Sequence, residues 1–334
     1  MQFKNIISTI DSHTGGMPVR MVVSGIPNIP GETMIKKRNF VEKNLEYLKS
    51  LVYEPRGNNN MTVCILTSPC NNKSDFGLLF ISPAGFINMC GHGIIGVSVS
   101  VVEMGIIEPV EPVTNITIDT SAGIIHSKVY IQEGKCKKVS FQNAPAFLYK
   151  TVNITTPHFG EIPIDISYGG QFLGIVEAEH LNLNNLEIIK ADKIIEICME
   201  IKESINNQIE IKHPTIPYMT KVNNVILCIN PKNDKANIRI YESGCYGRLD
   251  RSPCGTGTSA RMASLFSKGK LSLGESYVTE SIVGSLFFGK LIKVTKVGNF
   301  DGVISEISGT SFITGVHHFI INKDDPFKFG FKVI

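Results

Sequence analysis

The chain has 334 residues, of which 43% are hydrophobic and 19% charged, and its formal net charge is +3. That length allows two domains with buried cores, and the small charge argues against a nucleic-acid surface. No apolar run approaches the roughly 18–20 residues of a membrane span, and the opening MQFKNIIST lacks the long apolar stretch of a secretory signal, so a cytoplasmic protein with no membrane partner is expected.

In chain order, short β-rich runs separated by Gly, Pro, Asn and Asp dominate. Met21-Val22-Val23 is the first of them. The basic stretch Met34 to Arg38 is expected on a solvated face, and a helix is predicted from about Phe40 to Leu51. Gly77 to Ile81 and Asn115 to Asp119 read as strands, as does Asn224 to Ile229. Between the last two, a helix over about Ala191 to Asn206 presents Ile194, Ile195, Ile197, Cys198 and Ile201 on one face. Strands outnumber helices without alternating with them, which argues for α+β and against a doubly wound parallel sheet.

Two segments repeat one pattern. CGHGIIGVSVSVVEMG runs from Cys90 to Gly105, and CGTGTSARMASLFSKG from Cys254 to Gly269. Each opens Cys-Gly-x-Gly and closes on Gly at the same offset, bracketing about three helical turns with a final glycine suited to a left-handed cap. Interiors this apolar belong to buried helices. The simplest architecture has two similar α/β halves, each wrapping strands around one such helix, with both helix starts at a shared cleft.

A helix start presents unpaired N–H groups and partial positive charge, which hold carboxylates and favour a thiolate. A single such cysteine would suggest a nucleophile. Two in matched settings suit stereoinversion, which needs a base on one face of a carbon and an acid on the other. The sequence demands no metal and no organic cofactor for that. Both segments also fit the loose dinucleotide fingerprint G-x-G-x-x-G/A, but Leu249 to Pro253 is no buried strand leading into the second. GSLFFGK, Gly284 to Lys290, imitates a phosphate loop yet has Leu291 where magnesium needs Ser or Thr, so it reads as a strand. The remaining alternative is that both cysteines simply fill buried corners.

At these residues the sequence resembles the proline racemase family, which includes hydroxyproline 2-epimerases and hydroxyproline dehydratases. The matching segments are DSHTGG from Asp11, YEPRG from Tyr53, NMCGHG from Asn88, DRSPCGTGTSA from Asp250 and the tail from Ile313 to Phe331. More distantly, the plan is similar to diaminopimelate epimerase. The resemblance implies two halves, each a mostly antiparallel barrel-like sheet around a central helix: 1–145 plus 316–334 carrying Cys90, and 146–315 carrying Cys254. It implies Cys90 and Cys254 as the acid/base pair, and Asp250 and the His92 side chain at the substrate's nitrogen. The helix starts at Gly91, His92 and Gly93 and at Gly255 and Thr256 would hold its carboxylate.

The dehydratase branch replaces one cysteine with Ser or Thr, so retention of both favours racemisation or epimerisation. The expected substrate and partner is proline or a hydroxyproline, and the expected assembly a homodimer. Departures from the family at Met17, Asn58 and Thr62 fall where the pocket meets the substrate ring. They keep 4-hydroxyproline 2-epimerase and a non-catalytic imino-acid-binding homologue open as alternatives. His13 is either pocket-lining or a turn cap. His317 and His318 sit in a strand-like run and should point to opposite faces. Cys245 is expected to be a buried structural residue, and the other cysteines packing or surface residues.

Overall fold

The computed structural model describes residues 3–83, 85–183, 189–244 and 247–332. It divides into two compact units, Met1–Phe141 with Gly309–Ile334, and Gln142–Ser308. The fold is α+β: among the described residues, strands carry most of each unit, and two α-helices serve each.

In the first unit, strands Phe3–Thr14 and Met17–Ser24 form a hairpin, and Phe3–Thr14 also pairs antiparallel with Ser311–Asn322. Met17–Ser24 then lies parallel to Thr62–Thr67, which pairs antiparallel with Phe76–Ser82. Phe76–Ser82 lies parallel to Val113–Thr120, which opens a second hairpin. Parallel neighbours require crossovers, and here there are two. One contains α1 (Met34–Asn44), the other α2 (Gly91–Glu103). All α2 residues from Gly91 to Val102 are buried, as expected of a helix apolar nearly all round. A Cβ on Gly96 would sit 3.1 Å from Val19 and 3.2 Å from the hydroxyls of Ser12 and Thr14, so the strands approach this helix closely.

The second unit repeats the scheme. Gly160–Tyr168 and Phe172–Glu177 form a hairpin; Phe172–Glu177 lies parallel to Val222–Ile229; that strand pairs antiparallel with Ile238–Ser243, which lies parallel to Ser276–Glu280. The crossovers are α3 (Ala191–Gln208) and α4 (Gly255–Ser267). Pairing continues through Leu286–Val297 and Phe300–Gly309 and returns to Ala146–Thr156, the antiparallel partner of Gly160–Tyr168. The strands therefore close on themselves around α4. A buried network ties α4 to this wall: Ser167 Oγ donates to the Ala260 carbonyl at 2.8 Å, and Asn143 Nδ2 and Ser305 Oγ donate to Ser259 Oγ at 2.7 and 2.8 Å.

α3 is amphipathic. Ile194, Ile197, Cys198, Ile201 and Ile205 are buried against Phe147, Phe172 and Val225, while Ile195 is only partly covered. At about 1.5–3 kcal/mol for each fully buried aliphatic side chain, that stripe holds the helix to the sheet.

Two local expectations need correction. The helix predicted over Phe40 to Leu51 is instead α1, capped at Thr33 Oγ1 by the Lys36 amide, followed by a separate 3₁₀ turn at Glu46–Leu51. A Ser/Thr cap defines a helix start better than the first apolar residue does. The stretch from Met34 to Arg38 is not simply a solvated face: Met34 and Lys37 are buried, and the Lys37 ammonium donates to the Ser68 carbonyl and hydroxyl at 2.8 and 2.7 Å. Gly284 to Lys290 is a turn leading into the strand Leu286–Val297, as expected. Among the described residues, no helix is long and apolar enough to cross a membrane.

Candidate active site

Both Cys-Gly-x-Gly segments start helices, and both helices end alike. Gly105 and Gly269 adopt φ of 68° and 67°. The following amides, Ile106 and Lys270, bond to the carbonyls five residues back, Val101 and Leu265, at 2.9 and 2.8 Å. This Schellman geometry requires glycine because the left-handed conformation crowds a Cβ.

Cys90 occupies the cap position of α2 in extended backbone, at φ −143° and ψ 112°. Its Sγ lies 3.4 and 3.5 Å from Nδ1 and Nε2 of His92, and that Nε2 lies 3.1 Å from Thr62 Oγ1. Thr62 is fully buried at the head of its strand, and His92 is 7% exposed. Thr14 donates to the His92 carbonyl at 2.9 Å, fixing the backbone there. The second glycine is tightly packed: a Cβ on Gly93 would meet the Phe80 ring at 3.1 Å and Cys64 Sγ at 3.2 Å. Burial, then the neighbouring Cys90, push the Cys64 thiol well above its ordinary value, so it stays protonated. Two residues upstream of Cys90, Asn88 accepts from the Arg38 guanidinium at 2.6 Å.

Cys254 occupies the corresponding cap of α4 but is held differently. Its φ of 53° is a left-handed value that side chains rarely adopt. The Gly257 amide donates to its Sγ at 3.2 Å, and Thr256 Oγ1 lies 3.3 Å from the same sulfur. Burial pushes this thiol well above its ordinary value, and Glu242 and Asp250 add to the rise, outweighing the Thr256 and Gly257 hydrogen bonds. A helix start by itself lowers a thiol's pKa. At Cys254 the burial and the two carboxylates win.

Asp250 accepts from the Ser252 amide at 2.8 Å, and its own amide donates to the Glu242 carbonyl at 2.9 Å. Donor atoms of Glu242, Asp250 and Cys254 lie within 4.8 Å of one another, an arrangement that can receive a cation, whether a metal ion or an ammonium. The first-turn amides of Gly91, His92, Gly93, Gly255 and Thr256 lie where an α-helix leaves N–H groups without intrahelical partners.

The other singled-out residues are placed as follows. His13 Nδ1 accepts from the Gly16 amide at 3.2 Å, closing its own turn. Asn58 Oδ1 accepts from the Asn60 amide at 2.9 Å. Met17 is a fully buried strand residue. His317 approaches Asp11 at 3.6 Å, and His318 pairs with Ser8 at 3.0 Å. Cys64, Cys198 and Cys228 are buried, Cys136 is partly buried and Cys70 exposed. Cys245 lies outside the described residues. Sequence reasoning missed Glu242, whose signal is a carboxylate on the same strand face as Ile238 and Ile240.

A family model described as proline racemase matches residues 9–332. A proline racemase from Clostridioides difficile is 44% identical over 333 residues, covering 99% of each chain. A 4-hydroxyproline 2-epimerase from Streptosporangium roseum is 37% identical over 335 residues, again covering 99% of each. A crystal structure of a hydroxyproline epimerase from Agrobacterium vitis, with bound trans-4-hydroxy-L-proline, superposes with a TM-score of 0.89 at 32% identity, covering all of this chain and 97% of that one.

Proposed function

From the premise that the chain belongs to the proline racemase family, we propose that it inverts the Cα centre of proline or a hydroxyproline, using Cys90 and Cys254 as the acid/base pair. The observation that carries the reading is the matched placement of the two thiols, each at the cap of a buried helix. In one direction Cys90, as thiolate, takes the α-proton. Cys254, which its surroundings keep protonated, returns a proton to the opposite face. The two sulfurs then hold exchanged protonation states, ready for the reverse reaction. The amides of His92, Gly93, Gly255 and Thr256 bind the carboxylate and stabilise the enolate-like charge that develops. Asp250, with Glu242 beside it, receives the substrate's nitrogen.

Deuterium uptake at Cα in D₂O, followed with chirality across a panel of imino acids, tests the reading. Loss of inversion in both Cys90→Ser and Cys254→Ser supports it; full inversion by either variant ends it. Hydroxyproline is the second reading. Thr62 places a hydroxyl where proline racemases commonly carry Phe, and relative turnover of L-proline and trans-4-hydroxy-L-proline decides between them. Reactive thiols suit the reducing cytoplasm, and light scattering tests the expected homodimer.

A further inference from the structure

Thr62 is separated from His92 by thirty residues of sequence, yet its hydroxyl is 3.1 Å from His92 Nε2. The same ring lies against Cys90, with Sγ almost equidistant from both ring nitrogens. A sulfur so placed meets the charge of the whole ring more than one directed N–H. All three side chains are buried, where an ion pair is poorly screened by solvent.

We infer that Thr62 is a positioning residue, which holds His92 as the charge partner of Cys90. The S–H bond of Cys90 breaks and its proton passes to Nδ1 of His92, giving a thiolate and an imidazolium with no change in net charge. The Nε2–H of that imidazolium donates to Thr62 Oγ1, which stops the ring turning away from the sulfur. Among the described residues, the titratable groups shown facing Cys90 are His92, on the same helix, and Cys64, on the strand that begins with Thr62. Cys64 stays a thiol, so it adds no second anion to compete for the imidazolium. From the neighbouring strand Phe76–Ser82, Phe80 closes on the first turn of α2 with an apolar ring. At the second helix start the neighbours are carboxylates instead of an imidazole, so the two thiols rest in opposite protonation states.

The inference rests on Cys90 being a reacting thiol, but its test does not require turnover. The thiolate absorbance near 240 nm is titrated in the full-length protein and in Cys90→Ser; the difference reports Cys90 alone. Peptide-resolved alkylation by iodoacetamide, from pH 5 to 10, measures the same titration independently. Cys90 is expected to titrate below an ordinary thiol's pH range. Thr62→Val should move its half-titration up by about one pH unit, a tenfold fall in the thiolate-to-thiol ratio at any given pH. Thr62→Ser should restore it, and the Cys254 profile should not move. His92→Gln should abolish the low-pH titration. If Thr62→Val, with unchanged melting temperature, leaves the Cys90 profile where it was, the inference is overturned. A wild-type chain that shows this titration but exchanges no Cα deuterium would overturn the proposed function and leave the inference standing.

Discussion

The two helix starts share a four-residue pattern and a cap position, yet their sulfurs meet opposite company. Cys90 lies in relaxed extended backbone against an imidazole. Cys254 lies in left-handed backbone, bonded to a glycine amide and facing two carboxylates. The repeat therefore fixes where each sulfur stands, while the variable third residue of the pattern and strand residues outside it differ between the two sulfurs. Thr62 and Glu242 come from strands and differ between the two starts. Two groups that must play opposite roles gain from such asymmetry, since an acid and a base need their pKa values pushed apart.

The harshest way to break the comparison is to remove one thiol. Either Cys→Ser substitution should lower the inversion rate by about 10³-fold, within the range attributed to general acid–base catalysis, as measured by polarimetry. Next is Gly169→Ala. The new Cβ would collide with the Thr256 carbonyl and lie 2.7 Å from the Ala260 amide, both backbone atoms of α4. Calorimetry should show a loss of about 3 kcal/mol, the upper part of the overpacking range, together with a disturbed Cys254 alkylation profile and an intact Cys90 profile. Gly105→Ala and Gly269→Ala should each cost about 1 kcal/mol, equally, because the two C-caps are copies. Unequal losses would show that the copies are not energetically alike.

The mildest test uses pH. Cys254 has a raised folded-state pKa, and Cys228 is pushed up to about 12, both mainly by burial. An unfolded thiol loses its proton near pH 8.5, so between there and the folded values the unfolded chain binds fewer protons. Stability should be unaffected below that point and fall as pH rises through it. Glu242→Gln removes a charge that raises the Cys254 value, so it should bring the Cys254 titration down. A titration that stays put or rises would contradict the assigned role of Glu242.

What could be read from sequence was the chemistry that is local along the chain. Both helix spans, their glycine stops and the cysteine caps lie within sixteen-residue windows, and all appear where expected. The face of α3 was legible because periodicity exposes it. The start of α1 was misplaced because a capping threonine, not an apolar residue, sets it. The contact of Thr62 with His92 and the convergence of Glu242 with Cys254 depend on which strands lie beside which helix. Such pairings are non-local, so no spacing in the sequence announces them. Thr62 was singled out only because it departs from a family pattern, with no indication of its partner.

In the second unit the ring of strands is joined very unevenly. Among the described residues, Ala146–Thr156 shares a long run of rungs with Gly160–Tyr168, but meets Phe300–Gly309 only at Ala146–Val303 and Phe147–Gly302. Beside that short seam, the Asn143 amide donates to the Ser305 carbonyl at 2.9 Å, and both side chains hook Ser259 on the inner helix. Breathing of this wall should therefore begin there and unlatch the helix in the same motion, so that amide exchange at the seam and wandering of the Cys254 sulfur become two readings of one event.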